Sequence, residues 1–290
     1  MRKPFTFLHG GVADDWAVNL FWLRIFLLMH VASRTVLALR APALDQPAWM
    51  EAVYFLLVAA CLIGLVPRLT RYGMIAVALL LGVQIAGTMP ITANHIFLEF
   101  LCVGLLALVH ESRKEESELA IIALRWFVVI LLFYSGLQKL IYGYYFDGQF
   151  LAYSTAMEDR FATFFRFFMT EEDFIRLREM DSAELGMGPY RVRSPLFVII
   201  SNCAWMFELG LPFLMAIRKT RVVATGAAIA FVIGIEAGAR ELLFGALTIN
   251  LMLLFLPGRW IKKLFPVFAL IYLYLVASEF EIVPMFRFYH

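Results

Sequence analysis

Nine apolar runs constrain this chain more than any other feature. They fall at about 16–39, 49–66, 72–89, 92–110, 120–142, 195–217, 222–239, 242–257 and 261–279. Each approaches the roughly 20 residues that a helix needs to cross the hydrocarbon of a bilayer. A backbone in that medium must satisfy its own N–H and C=O groups, so such runs read as helices. Of the 290 residues, 62% are hydrophobic and 17% charged, whereas soluble domains are about half apolar and about a quarter charged. The sequence therefore predicts an all-α, polytopic integral membrane protein of about nine transmembrane helices, forming a single transmembrane domain over 1–290. Thr88-Met89-Pro90 divides the third run from the fourth. The short seventh and eighth runs meet at Glu236-Ala-Gly-Ala-Arg-Glu241, where a re-entrant pair is the alternative to two spans. Pro266 is expected to kink the last helix without ending it.

Basic residues orient the spans. With the N-terminus inside, the inner segments carry 12 Lys and Arg, at 2, 3, 68, 71, 113, 114, 218, 219, 221, 259, 262 and 263. The short outer segments carry 3, at Arg40, Arg240 and Arg287. This bias predicts an N-terminus inside and a C-terminus outside. The connection 143–194 then lies outside, and its length exempts it from the charge rule. Within it, Thr170-Glu-Glu-Asp173 has the pattern of a helix start. Phe161, Phe164, Phe165, Phe167 and Phe168, flanked by Arg160 and Arg166, suggest an amphipathic helix at the interface. Gly186, Gly188 and Pro189 mark the return to the sixth span. Residues 1–16 lack an apolar signal core and a small-residue cleavage site, so no cleaved signal is expected. The net charge of +2 and the absence of a basic cluster give no reason to expect a nucleic-acid partner. Cys61, Cys102 and Cys203 sit inside apolar runs and read as small hydrophobes. No spacing suggests a metal or haem site.

Ionisable groups inside spans are costly and default to functional candidates. The topology places Asn94, His95 and Glu99 in the outer half of the fourth span and Lys139 in the outer part of the fifth. A short inner loop joins these two spans, so the four residues can share one depth around an outward-facing cavity. Arg34 lies toward the same side of the first span, on one face with His30. Glu208 sits mid-way along the sixth span, and Glu236 near the outer end of the seventh. Structural readings stand beside these. Lys139 can snorkel to the interface among Tyr142, Tyr144 and Tyr145. His95 can be a structural hydrogen-bonder, and Glu99 a buried partner of Arg24, Arg34 or Lys139. For Arg24 an interhelical pair with an acid is the preferred reading. Asn202 and Asn250 suit hydrogen bonds between helices.

Three stretches, WLRIFLLMHVASR (22–34), ANHIFL (93–98) and LLFYSGLQKLIYGYYFDGQFL (131–151), carry a resemblance. They are similar to the first helix, the Asn-His helix start and the Tyr-x-x-x-Gly-x-x-Lys-Leu segment of the horizontally transferred transmembrane family. FELGLP (207–212) fits more loosely. The best-known member of that family is the vitamin K-dependent gamma-carboxylase. The resemblance implies that Lys139 is the base that deprotonates vitamin K hydroquinone. Oxygen then reacts, and the strong base so formed removes the gamma proton of a substrate glutamate, which adds carbon dioxide. It implies that His95 assists carboxylation, with Asn94 beside it. An amine held in an apolar pocket favours its uncharged form, which is a usable base. The chain departs from the pattern in three places. It stops at His290, where the carboxylase has a large extramembrane portion. It carries Tyr145 or Phe146 where the family has tryptophan, and Glu236 where a histidine is expected.

These readings converge on a carboxylase-like, lyase-class enzyme of the membrane, a bacterial inner membrane in preference to the endoplasmic reticulum. Lys139 and His95 are the expected catalytic residues. Asn94, Glu99, Arg34, Glu208 and Glu236 are expected to position substrate or cofactor. The expected cofactor is vitamin K hydroquinone or another reduced quinone, and the expected partners are membrane lipid and an exported peptide. The alternatives are a non-catalytic membrane factor for peptide or toxin maturation or immunity, as some family members are associated with, and a small-solute transporter.

Overall fold

The computed structural model describes residues 16–40, 47–90, 92, 94–110, 113–180, 190–257 and 259–283. Among the described residues every regular element is helical. Six helices are long and apolar enough to cross a membrane: α1 (Trp16–Arg40), α3 (Thr70–Thr88), α5 (Lys114–Tyr142), α9 (Pro195–Ala216), α10 (Arg221–Ala239) and α12 (Arg259–Glu279). Three shorter apolar helices occupy the remaining runs: α2 (Ala48–Gly64), α4 (Asn94–Leu108) and α11 (Leu242–Met252), the last continued by a 3-10 turn, Leu253–Phe255. The helices follow the apolar runs closely. The largest departure is α5, which begins six residues before its run. Glu115 and Glu116 favour its positive N-terminal end, so the helix extends beyond its apolar portion.

The distribution of side chains is inverted relative to a water-soluble core. Val223, Leu79, Ile141, Leu270 and Leu273 are each more than 60% exposed, while Arg24, Arg34, Glu99, Arg125 and Asn250 are buried. Large exposed apolar surface on several helices, with charge inside, is stable against lipid and not against water.

Two compact units divide the described residues. The first comprises α1 to α4, the start of α5, most of α11, and α12. Here α1 is the most enclosed of the six long helices. Leu20, Leu23, Phe26, Leu27, Leu28 and Val31 bury it on all sides, as expected of a central helix. It packs on α2, α4 and α12, with Trp22 and Phe26 against Phe265, and Phe26 against Phe268. Helices α2 and α3 meet where two glycines face each other. A Cβ on Gly73 would fall 2.3 Å from the Gly64 Cα.

The second unit comprises the rest of α5, the connection, α9, α10 and the start of α11. The connection folds into α6 (Gln149–Met157), α7 (Asp159–Phe165) with a 3-10 turn at Arg166–Phe168, and α8 (Glu171–Arg178). Gly148 turns the chain into α6 at φ 78°, a left-handed conformation that glycine adopts without strain. Thr170 caps α8 as its sequence predicts, its hydroxyl accepting the Asp173 N–H at 3.2 Å. Asp173 is buried and accepts the Arg193 N–H at 2.7 Å, which ties α8 to the strand of chain leading into α9. Phe164 closes on Gly238, so α7 lies against α10. Gly186, Gly188 and most of the segment 181–194 that was expected to lead back to the sixth span lie outside the described residues.

The Gly64–Gly73 approach yields a test. Gly73→Ala should lower the stability of the detergent-solubilised protein by about 1–3 kcal/mol, the usual cost of overpacking. Gly226→Ala, at a position with open space around it, should leave the melting temperature unchanged or slightly raised.

Candidate functional site

The intramembrane polar residues separate into two sets, one in each unit. In the first unit Glu99 is fully buried. Its Oε2 accepts from Arg34 Nε at 2.9 Å, and its Oε1 meets His30 Nε2 at 3.0 Å. Arg34 Nη2 donates to Gln84 Oε1 at 3.1 Å. On the far side of the imidazole, His30 Nδ1 lies 3.2 Å from the Tyr272 hydroxyl, which accepts from Asn250 Nδ2 at 2.9 Å. A neutral imidazole with its proton on Nε2 toward the carboxylate, accepting the Tyr272 hydroxyl at Nδ1, is one arrangement that satisfies these contacts. The chain Gln84–Arg34–Glu99–His30–Tyr272–Asn250 thus joins α3, α1, α4, α12 and α11. Of the three cations offered to Glu99 by the sequence, Arg34 is the one in direct contact. His30, on one face of α1 with Arg34 as the sequence predicts, meets the other oxygen of Glu99.

Arg24, Arg125 and Arg221 share a different task. Arg24 Nη2 donates to the Leu106 and Val109 carbonyls, both at 2.8 Å, at the C-terminal end of α4. Arg125 Nε and Nη2 donate to the Leu254 carbonyl at 3.0 and 2.7 Å, after α11. Arg221 donates to the Met215 and Ala216 carbonyls, both at 3.1 Å, at the end of α9. The last carbonyls of a helix have no partner of their own, and a cation placed there also suits the helix dipole. Arg24, expected against a carboxylate, donates to helix-end carbonyls as a cap does.

The second unit holds Lys139. Its Nζ donates to Glu208 Oε2 at 2.5 Å and to Ser135 Oγ at 2.7 Å, and it lies 5.3 Å from the centre of the Tyr145 ring. Local sequence creates this arrangement. Ser135 and Lys139 are four apart on α5 and share a face. Gly136, between them, brings the two backbones close: a Cβ there would fall 2.7 Å from the Leu209 N and 2.9 Å from the Glu208 Cβ. Ser201 Oγ donates to the Tyr145 carbonyl and Asn202 Nδ2 to that of Phe146, both at 2.8 Å, which pins the turn after α5 onto α9. Lys139 is thus half-buried in an ion pair, not extended alone toward solvent as the snorkelling reading holds.

A cavity of about 510 Å³ opens beside this pair. Its walls are dominated by phenylalanine, including Phe161, Phe164, Phe165, Phe207 and Phe231. Lys139, Ser135 and Glu208 line it, and so does Glu236, which is 8% exposed with no hydrogen-bond partner at Oε2. The aromatic strip expected at the membrane interface in part forms this wall, although Phe167 remains exposed.

The expected Lys139–His95 pair is divided between the units, each residue lying among groups of its own unit. His95 is partly buried near the start of α4, in the surroundings of Glu99, while the Asn94 side chain lies outside the described residues. Of the expected positioning groups, Arg34 and Glu99 form the buried network of the first unit. Glu208 and Glu236 line the cavity of the second. Among the described residues no three His, Cys, Asp or Glu gather in a group able to hold a metal ion. Compared with known protein families, characterised proteins and solved structures, the chain matches none.

Breaking either pair strands a buried charge. Lys139→Met and Glu99→Gln should each destabilise the solubilised protein by about 3 kcal/mol. Lys139→Met combined with Glu208→Leu should recover most of the first loss, as read from melting temperatures.

Proposed function

We propose that the chain is a multi-pass membrane enzyme in which Lys139 and Glu208 act together as a proton-transfer pair on a lipid-soluble ligand. The observation that carries this reading is the placement of a half-buried amine, paired at 2.5 Å, on the wall of an aromatic cavity. Such cavities typically measure about 300–1,000 Å³ with few polar groups on largely apolar walls. The carboxylase-like resemblance names the ligand as a reduced quinone. Its rings suit the phenylalanine walls, and the unpartnered Glu236 Oε2 suits a ligand hydroxyl. When bound, a reduced quinone supplies the electrons for oxygen activation.

The residues of this chain contribute proton handling and exclusion of water. In this step one proton moves from Lys139 Nζ to Glu208 Oε2, which leaves the amine a lone pair on the wall of the cavity. Ser135 Oγ holds the amine in place while this occurs. The amine can then accept a ligand hydroxyl proton, as general-base catalysis requires. His95, in the other unit, enters the reading only through the resemblance, as an assistant to carboxylation.

Nine crossings complete the reading, with the N-terminus inside. The 12-to-3 distribution of basic residues supports that orientation. The three shorter apolar helices supply the spans beyond the six long ones.

Purified protein given vitamin K hydroquinone, oxygen, labelled bicarbonate and a glutamate-containing peptide should fix label into the peptide. Lys139→Ala should reduce incorporation by at least about a hundredfold, the scale of a lost general base. A folded Lys139→Ala protein with full activity would remove the lysine from the mechanism. Absence of label with the native protein would reject the carboxylase-like assignment.

A further inference from the structure

The polar side chains on the cavity wall of the second unit differ in one respect. Lys139, Ser135 and Glu208 satisfy one another. Glu236 does not reach that state: its side chain is buried, yet Oε2 has no hydrogen-bond partner. The cation near it is committed elsewhere. Arg160 Nε donates to Glu158 at 2.5 Å, its Nη1 donates to the Ala239 carbonyl at 2.6 Å, and its Nη2 lies 3.8 Å from Glu241. Gly245 confines the carboxyl on another side, where an added Cβ would fall 2.8 Å from Oε1. Buried polar atoms are nearly always partnered, and one that is not calls for an explanation. Here the atom belongs to a residue on the wall of a cavity of ligand size.

We infer that Glu236 receives a hydrogen-bond donor carried by the cavity's ligand. The ligand class is an apolar, aromatic-compatible molecule with a phenolic hydroxyl or an ammonium group. The cavity chemistry is consistent with both. Lys139 and Glu208 pair with each other, so the acceptors left on the wall are the buried Glu236 and the exposed Glu241, and phenylalanine faces also favour a cation. For the hydroxyl source the inference rests on the quinol reading and deepens it. A reduced quinone offers O–H donors, whereas the oxidised form offers only carbonyl lone pairs. Glu236 would then select the reduced form.

The test is equilibrium dialysis of the full chain in lipid nanodiscs, corrected for partition into empty discs. The probes are 2-methyl-1,4-naphthohydroquinone under anaerobic reduction, its 1,4-dimethyl ether, the corresponding quinone, and dodecylamine. The hydroquinone should bind about tenfold more tightly than the ether or the quinone, the scale of one hydrogen bond to a charged group. Glu236→Gln should collapse this ratio toward one, and the glutamine amide should improve quinone binding. Equal binding of hydroquinone and ether by the native protein, together with no saturable binding of dodecylamine, overturns the inference whether or not the variant folds. A donor preference that survives Glu236→Gln overturns it while leaving the quinol reading intact. Glu236-dependent binding of dodecylamine without hydroquinone binding sustains the inference and removes the quinol reading. Binding of neither class overturns both.

Discussion

A polar group enclosed by apolar side chains and lipid has no water to turn to, so it must find its partner within the chain. That constraint accounts for most of the interior of this protein. Glu99 is tolerable because Arg34 and His30 each address one of its oxygens. The same carboxylate carries its effect outward, through His30 to Tyr272 and Asn250, and through Arg34 to Gln84. Charge enclosed in this way fixes which helix faces meet, since an alternative register would leave an ion alone.

Helix ends obey the same requirement. The last carbonyls of α4 have no partners within the helix, and Arg24 donates to those of Leu106 and Val109 at its end. Arg125 does the same for the end of α11. Arg221, at the start of α10, folds back onto the end of α9 and ties a tight inter-helix turn. A charged residue within a span is thus as readily a structural cap as a catalyst, and the two uses are separated by what faces the side chain.

By that criterion the second unit holds the residues that structural need does not fully explain. The Lys139–Glu208 pair borders a cavity instead of filling one, and Glu236 is left incomplete on the same wall. Gly136 and Gly148 are necessary to this arrangement. The first lets α5 and α9 approach, and the second turns the chain so that the phenylalanines of the connection can reach the cavity.

The apolar helices were legible in the sequence because the composition and length of each run depend only on neighbours along the chain. Thr170 as a cap, and Asn202 and Asn250 as hydrogen-bonding groups between elements, were legible for similar reasons of local chemistry. Lys139, Glu208 and Glu236 could be named as costly residues, since cost in an apolar run is a property of the residue itself. Their partners could not be read. Lys139 and Glu208 are 69 positions apart, and their contact depends on a glycine crossing. His30, Gln84 and Tyr272 became partners of Glu99 and Arg34 only once α1 was enclosed by its neighbours. The sequence alone determined that this chain must form apolar helices and must bury charge. Tertiary structure decided which charges neutralise each other, which cap helices and which face a cavity, because those outcomes depend on distances between segments far apart in the chain.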